Sequence, residues 1–286
     1  MFWQTTRYSV DLTQPRVMGI VNVTPDSFSD GGQHAGAASA LKHCEQLLKD
    51  GAHILDIGGE STSPGAPPLP LDEERARVQP LVREALKMGV PLSVDTYKPQ
   101  VMQAALDLGA DIINDIWALR QSGAAQVVAG HPTCGVCLMH MHREPQTMQA
   151  APMAGDVVPQ VLSFLERTAQ ALQGLGVDKA RIVLDPGIGF GKTVAQNFAL
   201  LARQRELLAA GYPILAGWSR KSSLAAVTAV DGLAPPASER MVPSVAAALL
   251  AVERGAAIVR VHDVRETVAA LKILRAMNPV ADNADE

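Results

Sequence analysis

The sequence predicts an α/β fold: a single-domain (β/α)8 TIM barrel with a short N-terminal hairpin. Three observations carry this. Short apolar runs alternate along the chain with longer amphipathic stretches, and strands alternating with helices imply a parallel sheet with right-handed crossovers. The spacing is even, because the 240 residues between Val21 and Val261 span seven repeats of about 34 residues, the arithmetic of eight βα units in one barrel. The chain has 286 residues, 48% apolar and 19% charged, enough to bury one large core. A doubly wound open sheet is the rival arrangement of the same pattern, and no linker or shift of composition divides the chain.

Taken in order, residues 1–16 form the hairpin segment and close the barrel bottom. The barrel occupies residues 17–277. Its strand runs are Val17–Val21, Ile54–Ile57, Leu92–Val94, Ile112–Ile113, Val136–Met139, Ile182–Leu184, Ile214–Ala216 and Ile258–Val261. Amphipathic stretches follow at Ala38–Lys49, Leu71–Lys87, Pro99–Leu108, Val158–Leu175, Phe198–Ala210, Val245–Arg254 and Val264–Met277. The Pro-rich stretches Pro64–Pro70 and Pro235–Pro236 are βα loops, and residues 278–286 form a frayed tail.

Lys plus Arg number 25 against 29 Asp plus Glu, which gives none of the basic excess of a nucleic-acid binder. Apolar runs such as Val245–Val252 are far shorter than the ~20 residues of a membrane span. The opening MFWQTTRYSVDLTQ lacks the apolar stretch of a secretion signal. A cytoplasmic enzyme or binding protein is the expectation. Cys44 lies in a helical pattern, and Cys134 and Cys137 form a CxxC. With Cys137 inside an apolar run and no second CxxC, these read as a loop and a buried strand cysteine, not a redox or metal pair.

In such a barrel the active site gathers at the C-terminal strand ends, and here each strand delivers a polar group to that rim. In order these are Asn22, Asp56, Asp95, Asn114 with Asp115, His140, Asp185, the Ser219–Ser222 segment, and Arg260 with His262. Asp95, Asn114, Asp185 and Lys221 offer acceptors, an amide and a fixed donor. That set matches the alternating edge of a flat amino-pyrimidinone heterocycle. Arg260 and His262, two apart on a strand, point the same way and suit an anion, helped by the N-terminus of the following helix. Asn22 and Asp26 suit a Mg²⁺ held mostly by water and substrate phosphates. His140 and His142 lack a third ligand for zinc. Phe28 and Pro64, in Gly-, Ser- and Pro-rich loops, supply apolar walls for an aromatic ring.

The segments VMGIVNVTPDSFSDGG, ILDIGGEST, SVDTYKPQV, IINDIWAL, VCLMHM, LDPGIGFGKT, SRKSS and IVRVHDVRET occur in this order. Together they closely resemble the bacterial dihydropteroate synthases, a pterin-binding TIM-barrel family, from about Val17 to Met277. The resemblance implies a homodimeric enzyme that joins 6-hydroxymethyl-7,8-dihydropterin diphosphate to p-aminobenzoate and needs Mg²⁺. It implies a pterin pocket of Asp95, Asn114, Asp185 and Lys221 lined by Met139 and Phe190. Asn22 matches the magnesium-associated asparagine, and Thr62, Arg260 and His262 match residues facing the diphosphate. Ser222 with Lys221 matches the place where the p-aminobenzoate carboxylate meets a helix N-terminus. Phe28 and Pro64 match loop positions near its ring, where sulfonamides also bind.

Two departures stand out. The family usually reads ESTRPG where this chain has Ser63, which implies weaker diphosphate binding unless Arg75, Arg77 or loop groups compensate. Ala225 replaces a frequent Gly, a tolerable change in a helix. Two alternatives to the synthase stay open on the sequence. One is a non-catalytic pterin-binding paralogue or partner subunit, and the other a methyltetrahydrofolate:corrinoid methyltransferase.

Overall fold

The structure is a computed structural model that describes residues 1–23, 32–63, 65–144, 147–148 and 150–277. Phe28, Asp26, Pro64 and the tail 278–286 therefore lie outside the described residues.

Strands β1 (Phe2–Gln4) and β2 (Ser9–Asp11) form an antiparallel hairpin. Eight parallel strands among the described residues then close into a barrel: β3 (Arg16–Asn22), β4 (Ile54–Gly58), β5 (Leu92–Asp95), β6 (Ile112–Asp115), β7 (Gly135–Met139), β8 (Ile182–Asp185), β9 (Ile214–Ala216) and β10 (Ala256–Val261). The pairing of β10 with both β9 and β3 excludes the open sheet. Helices α1 (Gly32–Lys49), α2 (Leu71–Ala85), α3 (Pro99–Leu108), α4 (Ala124–Gly130), α5 (Val157–Gly174), α6 (Val194–Ala202), α7 (Gln204–Leu207), α8 (Ser222–Val227), α9 (Met241–Glu253) and α10 (Val264–Met277) surround it. No helix among the described residues is long and apolar enough to cross a membrane.

Alternation along the strands sorts the barrel interior into layers. Met18, Ile54, Ile112, Cys137, Val183, Leu215 and Ile258 form one apolar cluster with Trp3, Val10 and Leu12 of the hairpin segment. The hairpin thus plugs the bottom, and Trp3 donates its indole N–H to the Arg181 carbonyl at 2.9 Å. Two residues further along the strands, on the same face, stand Ile20, Asp56, Asn114, Met139, Asp185 and Arg260. The interior therefore changes from apolar to polar within one layer. Outward-facing Val17, Val21, Leu55, Ile57, Leu92 and Val94 pack into the core shared with the surrounding helices.

Two helical stretches differ from the periodicity. Phe198–Ala210, which reads as one helix, breaks at Arg203 (φ −106°, ψ 17°) into α6, α7 and a 3₁₀ turn. Gln204 is buried and donates to the carbonyls of Ala251 and Arg254, so tertiary hydrogen bonds toward α9 override helix continuity. Helix α4 is only seven residues long and leaves almost no periodic signal. Cys134 and Cys137 are both buried as free thiols, and the Cys134 sulfur lies 3.2 Å from the Arg181 guanidinium.

Truncating the bottom plug removes a fully buried indole and its hydrogen bond. Trp3→Ala is expected to lower unfolding free energy by about 3–5 kcal/mol, read by chemical denaturation.

Candidate active site

Four strands build the centre of the polar layer. Asp56, fully buried on β4, accepts from Arg260 Nε at 2.6 Å and from Asn114 Nδ2 at 3.1 Å. A second Arg260 nitrogen donates to Asp95 Oδ2 at 2.8 Å. One guanidinium thus ties β10 to β4 and β5, a planar fork suited to two carboxylates. Burial pushes the Asp95 carboxyl up, to about 7, with Arg260 opposing and Asp56 and Asp115 adding to the rise.

The opposite wall comes from β8 and the turn after it. Asp185 ends β8 and accepts the Gly187 N–H at 2.7 Å. Burial raises its carboxyl, opposed by that N–H and by Lys221, Lys192 and Arg260. The Lys221 ammonium sits 4.4 Å from the centre of the Phe190 ring, a cation–π contact. Burial lowers Lys221 to about 8, so it remains largely charged at pH 7.

Past the end of β10, His262 is set by Ser219. The Ser219 oxygen accepts the His262 backbone N–H at 3.1 Å and lies 2.9 Å from Nδ1. The hydroxyl keeps a second lone pair and its own proton, so it pairs with Nδ1 in either tautomer and fixes the plane of the ring. Burial, with Arg220 and Arg260 nearby, holds His262 down to about 4. At pH 7 this side chain is therefore a neutral imidazole.

A cleft of about 530 Å³ brings together Asn22, Thr62, Asp95, Asn114, Met139, Asp185, Phe190, Lys221, Ser222, Arg260 and His262. Ser63, Arg77 and Arg240 line it as well. Arg77 ion-pairs with Glu73 and donates to the Gly59 carbonyl at 3.2 Å. Arg240 donates to the carbonyls of Pro235 and Arg220. Asn22 lies at the exposed end of β3, and Ser222 opens α8, with Lys221 as its N-cap residue. Asp115 is buried and serves the backbone instead, accepting the N–H groups of Trp117 and Leu119. Among the described residues no group of three His, Cys, Asp or Glu gathers as metal ligands.

Sequence reasoning underweighted Asp56 and passed over Arg240. A charged residue within the otherwise apolar ILDIG run was a usable signal for Asp56. Arg240, at the start of a helix 20 residues beyond Arg220, carried none.

Removing Arg260 leaves Asp56 and Asp95 without their cation. Arg260→Met is expected to destabilise the fold by about 3–5 kcal/mol at pH 8. Asp95 already sits well above an unfolded carboxylate, and without the guanidinium it rises further. The folded variant then binds more protons than the unfolded chain, so its deficit relative to wild type shrinks as pH falls from 8 toward 5. Denaturation at both pH values checks the sign.

Among known proteins, the family described as "Pterin binding enzyme" matches residues 18–262. A dihydropteroate synthase of Neisseria meningitidis serogroup B is 49% identical over 280 residues, covering 96% of this chain and 97% of that protein. A Burkholderia cenocepacia dihydropteroate synthase, solved in complex with 7,8-dihydropteroate, superposes with a TM-score of 0.87 at 51% identity, covering 97% of this chain and 96% of the other. A Xanthomonas albilineans dihydropteroate synthase with 4-aminobenzoic acid superposes with a TM-score of 0.89 at 46% identity, covering 98% and 100%. A barrel of this topology, with this polar layer and likeness along nearly its whole length, belongs to the pterin-binding enzyme family, among its dihydropteroate synthases.

Proposed function

We propose that this chain condenses 6-hydroxymethyl-7,8-dihydropterin diphosphate with p-aminobenzoate, forming 7,8-dihydropteroate and diphosphate. The observation that carries the reading is the meeting of Asp95, Asn114, Asp185 and Lys221 in one cleft with Arg260 and His262 beside them. The carboxylates accept from the ring N–H and amino groups of the pterin. Asn114 pairs in either sense, and Lys221 donates to the ring carbonyl. Met139 and Phe190 supply apolar walls.

In the reaction the bond from the pterin methylene to the diphosphate oxygen breaks before the new bond is complete. The cation-like methylene draws electrons from the dihydropterin ring, and Asp95 and Asp185 provide negative potential near it. Arg260, His262 and Thr62 face the departing diphosphate. Arg260 shares its charge with two carboxylates, and neutral His262 contributes a hydrogen bond. The arylamine nitrogen of p-aminobenzoate then bonds to the methylene and loses a proton, so no protein nucleophile is required. Ser222 and Lys221, at the start of α8, receive the p-aminobenzoate carboxylate, and Phe28 and Pro64 are assigned to its ring.

A Mg²⁺ fits the residues present. Asn22 offers one neutral carboxamide oxygen at the exposed end of β3, and the described residues form no cluster of acidic or imidazole ligands. That donor set suits an ion held mainly by water and substrate phosphates. Asn22 would hold it, and when bound it supplies charge neutralisation on the leaving group. The reading includes a cytoplasmic homodimer. Val242, Leu250, Ile273 and Met277 on α9 and α10 are exposed apolar side chains, which supports a covered face there.

Purified protein given the pterin diphosphate, Mg²⁺ and p-aminobenzoate is expected to release diphosphate and form dihydropteroate in equal amounts. Pterin binding without turnover would favour the non-catalytic paralogue. Ser63 lines the cleft where the family usually has Arg. Ser63→Arg is expected to lower KM for the pterin diphosphate about tenfold or more, the range of a charge-assisted hydrogen bond, with KM for p-aminobenzoate unchanged.

A further inference from the structure

Lys192 is 2% exposed and does not line the cleft, yet its ammonium is the centre of the turn that does. It donates to the carbonyls of Gly187 at 2.8 Å and Phe190 at 3.2 Å, and reaches His140 Nδ1 at 2.9 Å. Burial lowers Lys192 to about 7; in its ammonium form it carries no acceptor, so His140 Nδ1 then presents its lone pair. Burial and the nearby Lys192 charge agree with this, pushing His140 down to about 2. The ring itself is held edge-on to Phe164, with centroids 4.9 Å apart.

Outside the ammonium, the turn is tied by the Gly187 N–H to Asp185 at 2.7 Å, the Gly189 N–H to Asn197 Oδ1 at 2.9 Å, and the Gly191 carbonyl, which accepts the Met153 N–H at 2.9 Å. Gly187, Gly189 and Gly191 all take left-handed φ values, 68°, 85° and 70°, a region where glycine loses no more than elsewhere but remains free in the unfolded chain. A Cβ on Gly187 would meet the His140 carbonyl oxygen at 1.8 Å, and one on Gly191 the His142 oxygen at 2.6 Å. The turn therefore lies flush on the chain leaving β7, with the ammonium filling its concave side. On its other side Phe190 carries its ring to within 4.4 Å of the Lys221 ammonium. A buried ammonium bound by carbonyls and an imidazole is a demanding way to fill space, and an apolar side chain would do so more simply.

We propose that Lys192 is a positioning residue for the pterin site: by drawing the Gly187 and Phe190 carbonyls and His140 onto one point, it sets the Phe190 ring beneath Lys221. This rests on the reading of Phe190 and Lys221 as part of the pterin-binding wall. Lys192 acts through Phe190 and touches no substrate.

A double-mutant cycle tests it, with calorimetric titration of 6-hydroxymethyl-7,8-dihydropterin as the probe and KM for p-aminobenzoate as the internal control. Lys192→Met is expected to weaken pterin binding at least tenfold while KM for p-aminobenzoate stays within twofold. Phe190→Ala is expected to weaken pterin binding too, and the double variant to be within twofold of Phe190→Ala alone. A merely structural role would lower the folded fraction or affect both substrates alike. Wild-type pterin affinity in Lys192→Met, equal loss for both substrates, or full additivity in the double variant would overturn the proposal. Unchanged affinity in Phe190→Ala would instead overturn the underlying reading of the wall. Should Lys192→Met not fold, Lys192→Gln, which keeps donors for the two carbonyls but no charge, is titrated against the same limits.

Discussion

The fork of Arg260 between Asp56 and Asp95 is the interaction on which the rest of the barrel interior depends. It joins strands β10, β4 and β5 across residues 204 and 165 apart in the chain. It also lets the barrel carry carboxylates where a packed apolar layer would otherwise stand. Three acidic side chains, Asp56, Asp95 and Asp185, lie among three basic ones, Arg260, Lys221 and Lys192. Asp185 feels the field of all three. Burial still raises Asp95 and Asp185 and lowers Lys221 and Lys192, so the pairing offsets only part of the cost of desolvation. The hydrogen bonds of Asp56, Asp95, Asn114 and Arg260 pre-arrange the site before any substrate enters.

That arrangement divides the molecule by height. The lower layer, sealed by Trp3 and the hairpin, supplies apolar burial, and the upper layer gives up burial for hydrogen-bonding capacity. A rim built in this way is destabilising by itself and persists because the lower layer and the surrounding helices over-determine the strands that carry it. His262 follows the same logic. Held neutral by burial and oriented by Ser219, it presents a ring nitrogen to the cleft without adding positive charge to the rim.

Much of this was legible in the chain. Eight evenly spaced β-type runs pointed to the barrel, and the polar residues at their C-terminal ends, Asp56, Asn114, Asp185 and Arg260 among them, pointed to one rim. What stayed hidden was tertiary. Closure was legible only through the count and even spacing of the eight runs, because alternation alone also builds an open sheet until β10 meets β3. The partner of Arg260 was not legible, because Asp56 and Asp95 are distant in sequence. Lys192 reads as an ordinary lysine in a Gly-rich loop, and only packing reveals an ammonium enclosed by carbonyls. The break at Arg203 was invisible because Gln204 finds its acceptors on a different helix segment.

The central claim is that the polar layer recognises a pterin by accepting from its ring N–H and amino groups. Asp185→Asn tests this most directly, because it keeps shape but swaps one acceptor oxygen for a donor. Calorimetric titration of 6-hydroxymethyl-7,8-dihydropterin should then show an affinity about 10- to 100-fold weaker than wild type, the consequence of leaving buried donors unpaired, with thermal stability equal to or above wild type. Undiminished pterin affinity in a folded Asp185→Asn protein would contradict the account.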